Sequence, residues 1–339
     1  KNACLLCKRQ LPSREKLELH ASASTLHATN VKATRETVLA ALRLGGEGGA
    51  TAAGRRSEAR TSQLTSSRTP VSSEEQRAAL LQEETRFRQT LANGLKVVVS
   101  EDHTAPTAVV AVYYNVGFRI EPRDRTGFAH LFEHMMFQGS ENLGKNEFIG
   151  LVQRNGGILN GSTRFDFTNY FEVVPANTVE TMLWAEADRM RGLDITEENL
   201  VNQQGVVSNE VRVNVINQPY GGFPWLDLPQ AANENWYNAH NFYGELSDLE
   251  AATLEDVADF FDTFYAPNNA VVVVVGDVDA DEVMGWVQEY FGGIERADVP
   301  PIPDLREPAQ TEAKRTSKVD SLATRPALAF AYHMPPRNT

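Results

Sequence analysis

The sequence predicts an α+β protein, and three observations carry that reading. Asn93-Gly94 is a tight hairpin signal, residues 107–115 and 271–275 are Val-, Ala- and Tyr-rich runs of strand type, and helical runs with their own start and stop residues lie between them. Residues 84–89 and 95–100 flank Asn93-Gly94, a pair suited to the positive φ of a two-residue turn. Residues 107–115 read as a strand buried on both faces. Thr126 is placed to cap the next helix and Gly139 to end it. A second helix over 146–155 stops at Gly156-Gly157, and strands over 158–163 and 168–174 follow.

A helix over 177–193 carries Met182, Leu183, Ala185, Ala187 and Met190, with Met182 and Trp184 read as packing. The longest predicted helix spans 196–217, closed by Pro219 and Gly221-Gly222, and the stretch to residue 245 has no clear period. Helices over 254–265 and 280–291 bracket the five valines, which read as a central strand. Pro300-Pro-Ile-Pro303 and Pro308 mark a linker over 297–310, and residues 319–322 and 327–333 read as strands of a further unit beginning near 311.

Composition divides the chain. Residues 1–75 hold 12 Lys and Arg against 7 Glu and no Asp, whereas the rest holds 20 basic against 38 acidic residues within a net charge of −13. So acidic a body argues against nucleic acid as its partner, leaving residues 1–30 as the only nucleic-acid candidate. No run of eighteen apolar residues exists, so no membrane-spanning segment is expected.

The two cysteines, Cys4 and Cys7, open a pattern completed by His20 and His27. Thiolates and imidazoles so spaced suit a tetrahedral structural zinc, although the six-residue gap between the histidines exceeds the usual three to five. This stretch resembles the two-Cys, two-His finger of certain RNA-binding splicing proteins. Residues 31–80 read as a short helix over 31–44 followed by a Gly-, Ser- and Arg-rich flexible linker.

The strongest chemical signal is His130-Leu-Phe-Glu133-His134. Positions four apart share a helix face, so both imidazoles can grip one metal ion while Glu133 projects beside it. The H-x-x-E-H order inverts the H-E-x-x-H zinc-hydrolase motif. A catalytic zinc takes three protein ligands and one open position, and Glu210, on the long helix 76 positions after His134, is the candidate third ligand. Among the remaining histidines, His103, His240 and His333 stand in loop or strand contexts without evident partners and are read as structural or solvated.

These segments together resemble the zinc-peptidase family of pitrilysin, insulinase and the mitochondrial processing peptidase. Thr126-Gly-Phe-Ala-His-Leu-Phe-Glu-His-Met-Met-Phe-Gln-Gly139 is similar to its motif helix, and Gly156-Gly-Ile-Leu-Asn160-Gly-Ser-Thr163 to the strand that follows. Asn209-Glu210 with Asn217-Gln-Pro-Tyr-Gly221 resembles the third-ligand helix, and Tyr265-Ala-Pro-Asn-Asn269 leading to Gly276-Asp277 a later helix-turn-strand. The match runs in register from about residue 87 to about 294.

The resemblance implies an antiparallel sheet backed by helices over residues 81–296, one processing-peptidase-like metallohydrolase half, with the chain carrying only the opening strands of a second. It implies a zinc metalloendopeptidase in which a metal-activated water, with Glu133 as general base, cleaves a peptide or unfolded polypeptide. The substrate would add to the 158–163 edge, with Asn160 nearest the metal. Gln203 stands where many relatives carry a supporting glutamate. An arginine and a tyrosine that steady the reacting carbonyl come from the family's second half, so a second half or partner subunit is expected for full activity. Family habit points to periplasm, envelope or mitochondrion. The competing readings are a non-catalytic metal-binding partner subunit or inactive half, and a nucleic-acid-binding protein acting through the finger.

Overall fold

The structure, a computed structural model, describes Ala3–Cys4, Arg9–Gln10 and residues 88–334, and the chain divides into two units, 1–69 and 70–339. In the first unit Ala3–Cys4 pairs antiparallel with Arg9–Gln10. Cys7, His20 and His27 of the expected finger lie outside the described residues, as do the expected 31–44 helix and the linker after it, and of Cys4 only the backbone is described.

The second unit is a six-stranded sheet backed by helices. Its strands are β1 (Arg88–Thr90), β2 (Lys96–Glu101), β3 (Thr107–Tyr114), β4 (Ile158–Thr163), β5 (Thr168–Pro175) and β6 (Ala270–Gly276), in spatial order β1-β2-β6-β3-β5-β4. The β1–β2 hairpin turns at Gly94, whose φ is 92°. The helices are α1 (Phe128–Met135), α2 (Glu147–Arg154), α3 (Val179–Arg191), α4 (Glu197–Val211), α5 (Asp227–Ala232), α6 (Trp236–Ala239), α7 (Leu246–Ala251), α8 (Leu254–Phe264) and α9 (Ala280–Phe291).

Two expectations about the sheet are corrected. It is mixed, because β2 pairs parallel with β6 while the remaining pairs are antiparallel. No hairpin joins these two strands, so chain connectivity does not force an antiparallel pairing. Nor is β3 buried on both faces. Ala108, Val110, Val112 and Tyr114 are buried, while on the other face Ala111 is buried but Thr107 and Tyr113 are exposed and Val109 only partly covered. On β6, Val272 and Val274 are likewise buried and Val275 is exposed. One face of these strands is thus packed throughout and the other only in part, as in a half-covered sheet.

Charge is buried between sheet and helices. Arg189 of α3 contacts Glu186, lies 3.7 Å from Glu172 of β5, and rests 3.7 Å over the Phe148 ring, with all three charged residues at most 1% exposed. Burial, then the neighbouring Glu186, raise the Glu172 carboxyl well above its usual range. Replacing Arg189 with Met removes the shared cation and strands the carboxyls, so Arg189→Met is expected to cost about 3–5 kcal/mol in a urea unfolding titration.

Other differences are local. The expected 196–217 helix is α4, capped by the Thr196 hydroxyl accepting from Asn199 N, then continued as a wider π turn over Arg212–Ile216. Residues 319–322 and 327–333 form no strand, and Val319, Leu328 and Tyr332 are exposed. Neither stretch pairs with a strand among the described residues. Instead Asp320 accepts from Tyr220 N at 2.6 Å and the Arg325 carbonyl accepts from the Tyr220 hydroxyl, clipping this stretch onto residue 220. His103 and His240 do have partners. His103 Nδ1 lies 2.7 Å from Asp277 Oδ1, a contact that raises its pKa, and His240 stacks on Trp236 at 4.1 Å. Asp277 is 174 residues from His103, too distant in sequence to be foreseen.

Candidate metal centre

Helix α1 lies across β4 and against α4, and this packing builds the site. Its apolar residues Leu131, Phe132 and Met135 are buried, and Phe132 stacks on Phe260 of α8 at 5.0 Å. The opposite side of the same turns presents His130 and His134. Their Nε2 atoms lie 3.8 Å and 3.4 Å from Glu210 Oε2, near the end of α4. One donor atom from each of the three residues falls within 4.8 Å of the others, the only such group of three or more His, Cys, Asp or Glu among the described residues.

Helix α1 does not start or stop as its sequence suggests. Thr126 is not its cap, because Gly127 takes φ 84° at the N-cap and leaves Thr126 outside the first turn. The Thr126 hydroxyl instead donates to Asp248 Oδ2 at 2.6 Å and accepts from Glu245 N. The helix ends at Met135, one turn short of Gly139.

This donor set suits a divalent metal such as zinc. Ligands each about 2 Å from one tetrahedral ion stand about 3.3 Å apart, close to the separations found. Burial, then His134, lowers the His130 pKa to about 4, so its ring is neutral with a free lone pair near pH 7. Its other nitrogen, Nδ1, is buried without a hydrogen-bond partner among the described residues. The Glu210 pKa is lowered, chiefly by the His134 ring, which favours the ionised ligand form.

Glu133 projects beside the triad. Thr163 Oγ1, at the end of β4, donates to Glu133 Oε2 at 2.8 Å, and burial raises the carboxyl above its usual range. A Cβ on Gly161 would stand 3.2 Å from Glu133 Cγ, so the glycine lets the edge strand approach this closely.

Asn160 lies on β4, one of the two edge strands among the described residues, with its side chain exposed and Oδ1 accepting from Gly161 N at 2.9 Å. Gln203 is buried on α4, and its amide donates to Asn202 rather than to the triad.

Sequence reasoning missed several contributors. Tyr243 OH and Asn214 Nδ2 each donate to Glu210 Oε1 at 3.4 Å, and the Phe242 ring packs 4.4 Å from that of His130. Phe242 and Tyr243 come from the stretch without period, where no sequence pattern marks them, whereas Asn214 stands four positions after Glu210, a spacing that marks a shared helix face. A cavity of about 380 Å³ opens here, lined by Thr163, Phe165, Asn214, Trp225 and Tyr243 among others. Tyr243→Phe removes one of the two donors on Glu210, so zinc affinity is expected to fall up to about tenfold in a chelator competition titration.

A sheet backed by helices, with two helical histidines and a distant glutamate converging on one point, defines a protein with a candidate metal centre. Residues 96–220 match the model described as Insulinase (Peptidase family M16), and residues 251–339 that described as Peptidase M16 inactive domain. The chain belongs to the M16, or insulinase, family of peptidases. Residues 1–45 match a domain of unknown function, DUF7066.

Among relatives, the zinc protease PqqE of Helicobacter pylori is 33% identical over 66% of this chain and 51% of its own length. The probable mitochondrial-processing peptidase subunit beta of Arabidopsis thaliana is 26% identical over 60% of this chain and 38% of its own. The crystal structure of a protease from Helicobacter pylori superposes with a TM-score of 0.62 at 32% identity, covering 67% of this chain and 55% of that one. The chain thus spans about half the length of these relatives, or less. Among the described residues no helix is long and apolar enough to cross a membrane.

Proposed function

We propose that this chain is the metal-binding half of a zinc metalloendopeptidase. The observation that carries the reading is the convergence of His130, His134 and Glu210 with Glu133 beside them. The three residues would hold one Zn²⁺, which when bound acts as a Lewis acid and brings the pKa of a water in its open position toward 7.

The chain's own residues do the rest. Glu133, oriented by the Thr163 hydroxyl, accepts a proton from the attacking water and passes it to the leaving amine. Burial raises its pKa above the usual carboxylate range, which strengthens it as a proton acceptor. Strand β4 receives an extended peptide by strand addition, with exposed Asn160 and Ile158 facing it. Gln203, buried within α4, supports the ligand helix by packing and brings no charge to the site.

A second half or partner subunit completes the site, in keeping with relatives about twice as long. A mitochondrial or envelope location is proposed with it, the Arabidopsis relative being named for the mitochondrion. The test is zinc content together with cleavage of a fluorogenic peptide by the full chain, alone and mixed with a second half. One zinc per triad and weak cleavage that rises with the second half are expected. A chain whose zinc content is unaffected by loss of the triad residues would overturn the proposal.

A further inference from the structure

Helix α1 has no cap of its own. Gly127 at its N-cap carries no side chain, and the first-turn N–H groups of a helix need acceptors. They find them in a residue outside the helix. Glu121 Oε2 accepts from Gly127 N at 2.8 Å and Oε1 from Ala129 N at 2.7 Å. Ala129 immediately precedes the ligand His130.

Glu121 is fully buried, at 0% exposure. Burial pushes its carboxyl up to about 8 against the pull of the two backbone N–H groups, with Asp248 adding to the rise. A buried carboxyl is costly unless it is hydrogen-bonded, and its partners here are the start of the metal helix.

On its other side stands His240, whose Nε2 is 3.8 Å from Glu121 Oε2. The two ring nitrogens of His240 face the carbonyl oxygens of Trp236, at 2.9 Å, and Phe118. The segment just after His240 carries Phe242, which packs on His130, and Tyr243, which bonds Glu210. It then passes α1 so closely that a Cβ on Gly244, at φ 65°, would lie 2.3 Å from Gly127 N. Glu121 therefore sits between the helix that carries His130 and the segment after His240 whose Tyr243 bonds Glu210.

We propose that Glu121 is a positioning residue of the metal centre. It fixes the first turn of α1 so that His130 presents Nε2 toward Glu210, and with His240 it ties that turn to the 240–248 segment that steadies Glu210. The proposal rests on the zinc-site reading above.

The test compares the full chain with Glu121→Gln, Glu121→Ala and His240→Gln. Zinc affinity is read by chelator competition, ligand geometry by the visible absorption of the Co²⁺-loaded protein, and folding by far-ultraviolet circular dichroism. Glu121→Gln is expected to weaken zinc about 10–100-fold, with Glu121→Ala worse, a shifted Co²⁺ spectrum and unchanged dichroism. Retention of zinc affinity to within about twofold and an unchanged Co²⁺ spectrum in folded Glu121→Gln would overturn it, since a purely structural carboxyl would change only the melting temperature. If Glu121→Gln does not fold, His240→Gln decides by the same two readouts. A wild-type chain that binds no zinc would instead defeat the metal-site reading itself.

Discussion

Glu133→Gln is expected to keep its zinc and to lower peptide cleavage about 10²–10⁴-fold, the range typical of a lost general base. The amide matches the carboxyl in size, so Thr163 can still donate to its oxygen and α1 can still pack against β4. What disappears is the ability to gain a proton. Glu133 is not among the three converging donors, so metal content should not follow activity downward. The measurement is zinc by atomic absorption beside the cleavage rate, taken with a second half present if the chain alone is slow. Equal loss of zinc and activity would place Glu133 among the ligands rather than beside them.

Glu210→Ala is expected to do the reverse, weakening zinc by at least about 100-fold, beyond the 10–100-fold range of supporting residues. Its Oε2 faces both imidazoles, at 3.8 Å and 3.4 Å, so its removal leaves two nitrogens and no anionic ligand. Glu210 is half-exposed near the end of α4, and its loss opens no cavity in the core. The folded fraction by circular dichroism should therefore hold steady while chelator competition registers the loss. Affinity that survives Glu210→Ala would mean that a different third ligand completes the site.

Much of the fold was legible because it follows local periodicity. The hairpin at Asn93-Gly94 and the 280–291 helix lie where turn residues and apolar spacing put them. Pairing direction was not legible, because β2 and β6 meet across an intervening stretch that leaves no local trace. The expected burial of β3 on both faces failed for a related reason. Its Val- and Ala-rich run fits either environment, and only the partial packing of its second face exposes Tyr113.

The candidate site divides along the same line. His130, Glu133 and His134 occupy one short helix, where a spacing of four sets a common face whatever surrounds it. Glu210 was reached through its neighbours in sequence. Thr163 and Tyr243 were not reached because they touch the site from segments 30 and 33 residues from their partners, and Glu121 and Asn214, though only four to eight residues from theirs, were passed over because glutamate and asparagine are common on solvated helices and turns.

The chemistry on offer is written in the chain: histidine and glutamate side chains of the kind that can hold a metal or move a proton, and the helices that carry them. How the pieces meet is a matter of long-range contacts. Long-range packing closes α4 onto α1, caps α1 with a carboxyl from outside the helix, and leaves β4 at an edge of the sheet. The physical reason is that a residue's chemistry and local spacing are properties of its near neighbours in the chain. Burial, capping by distant groups and strand order depend on contacts that form only when the whole sheet packs against its helices.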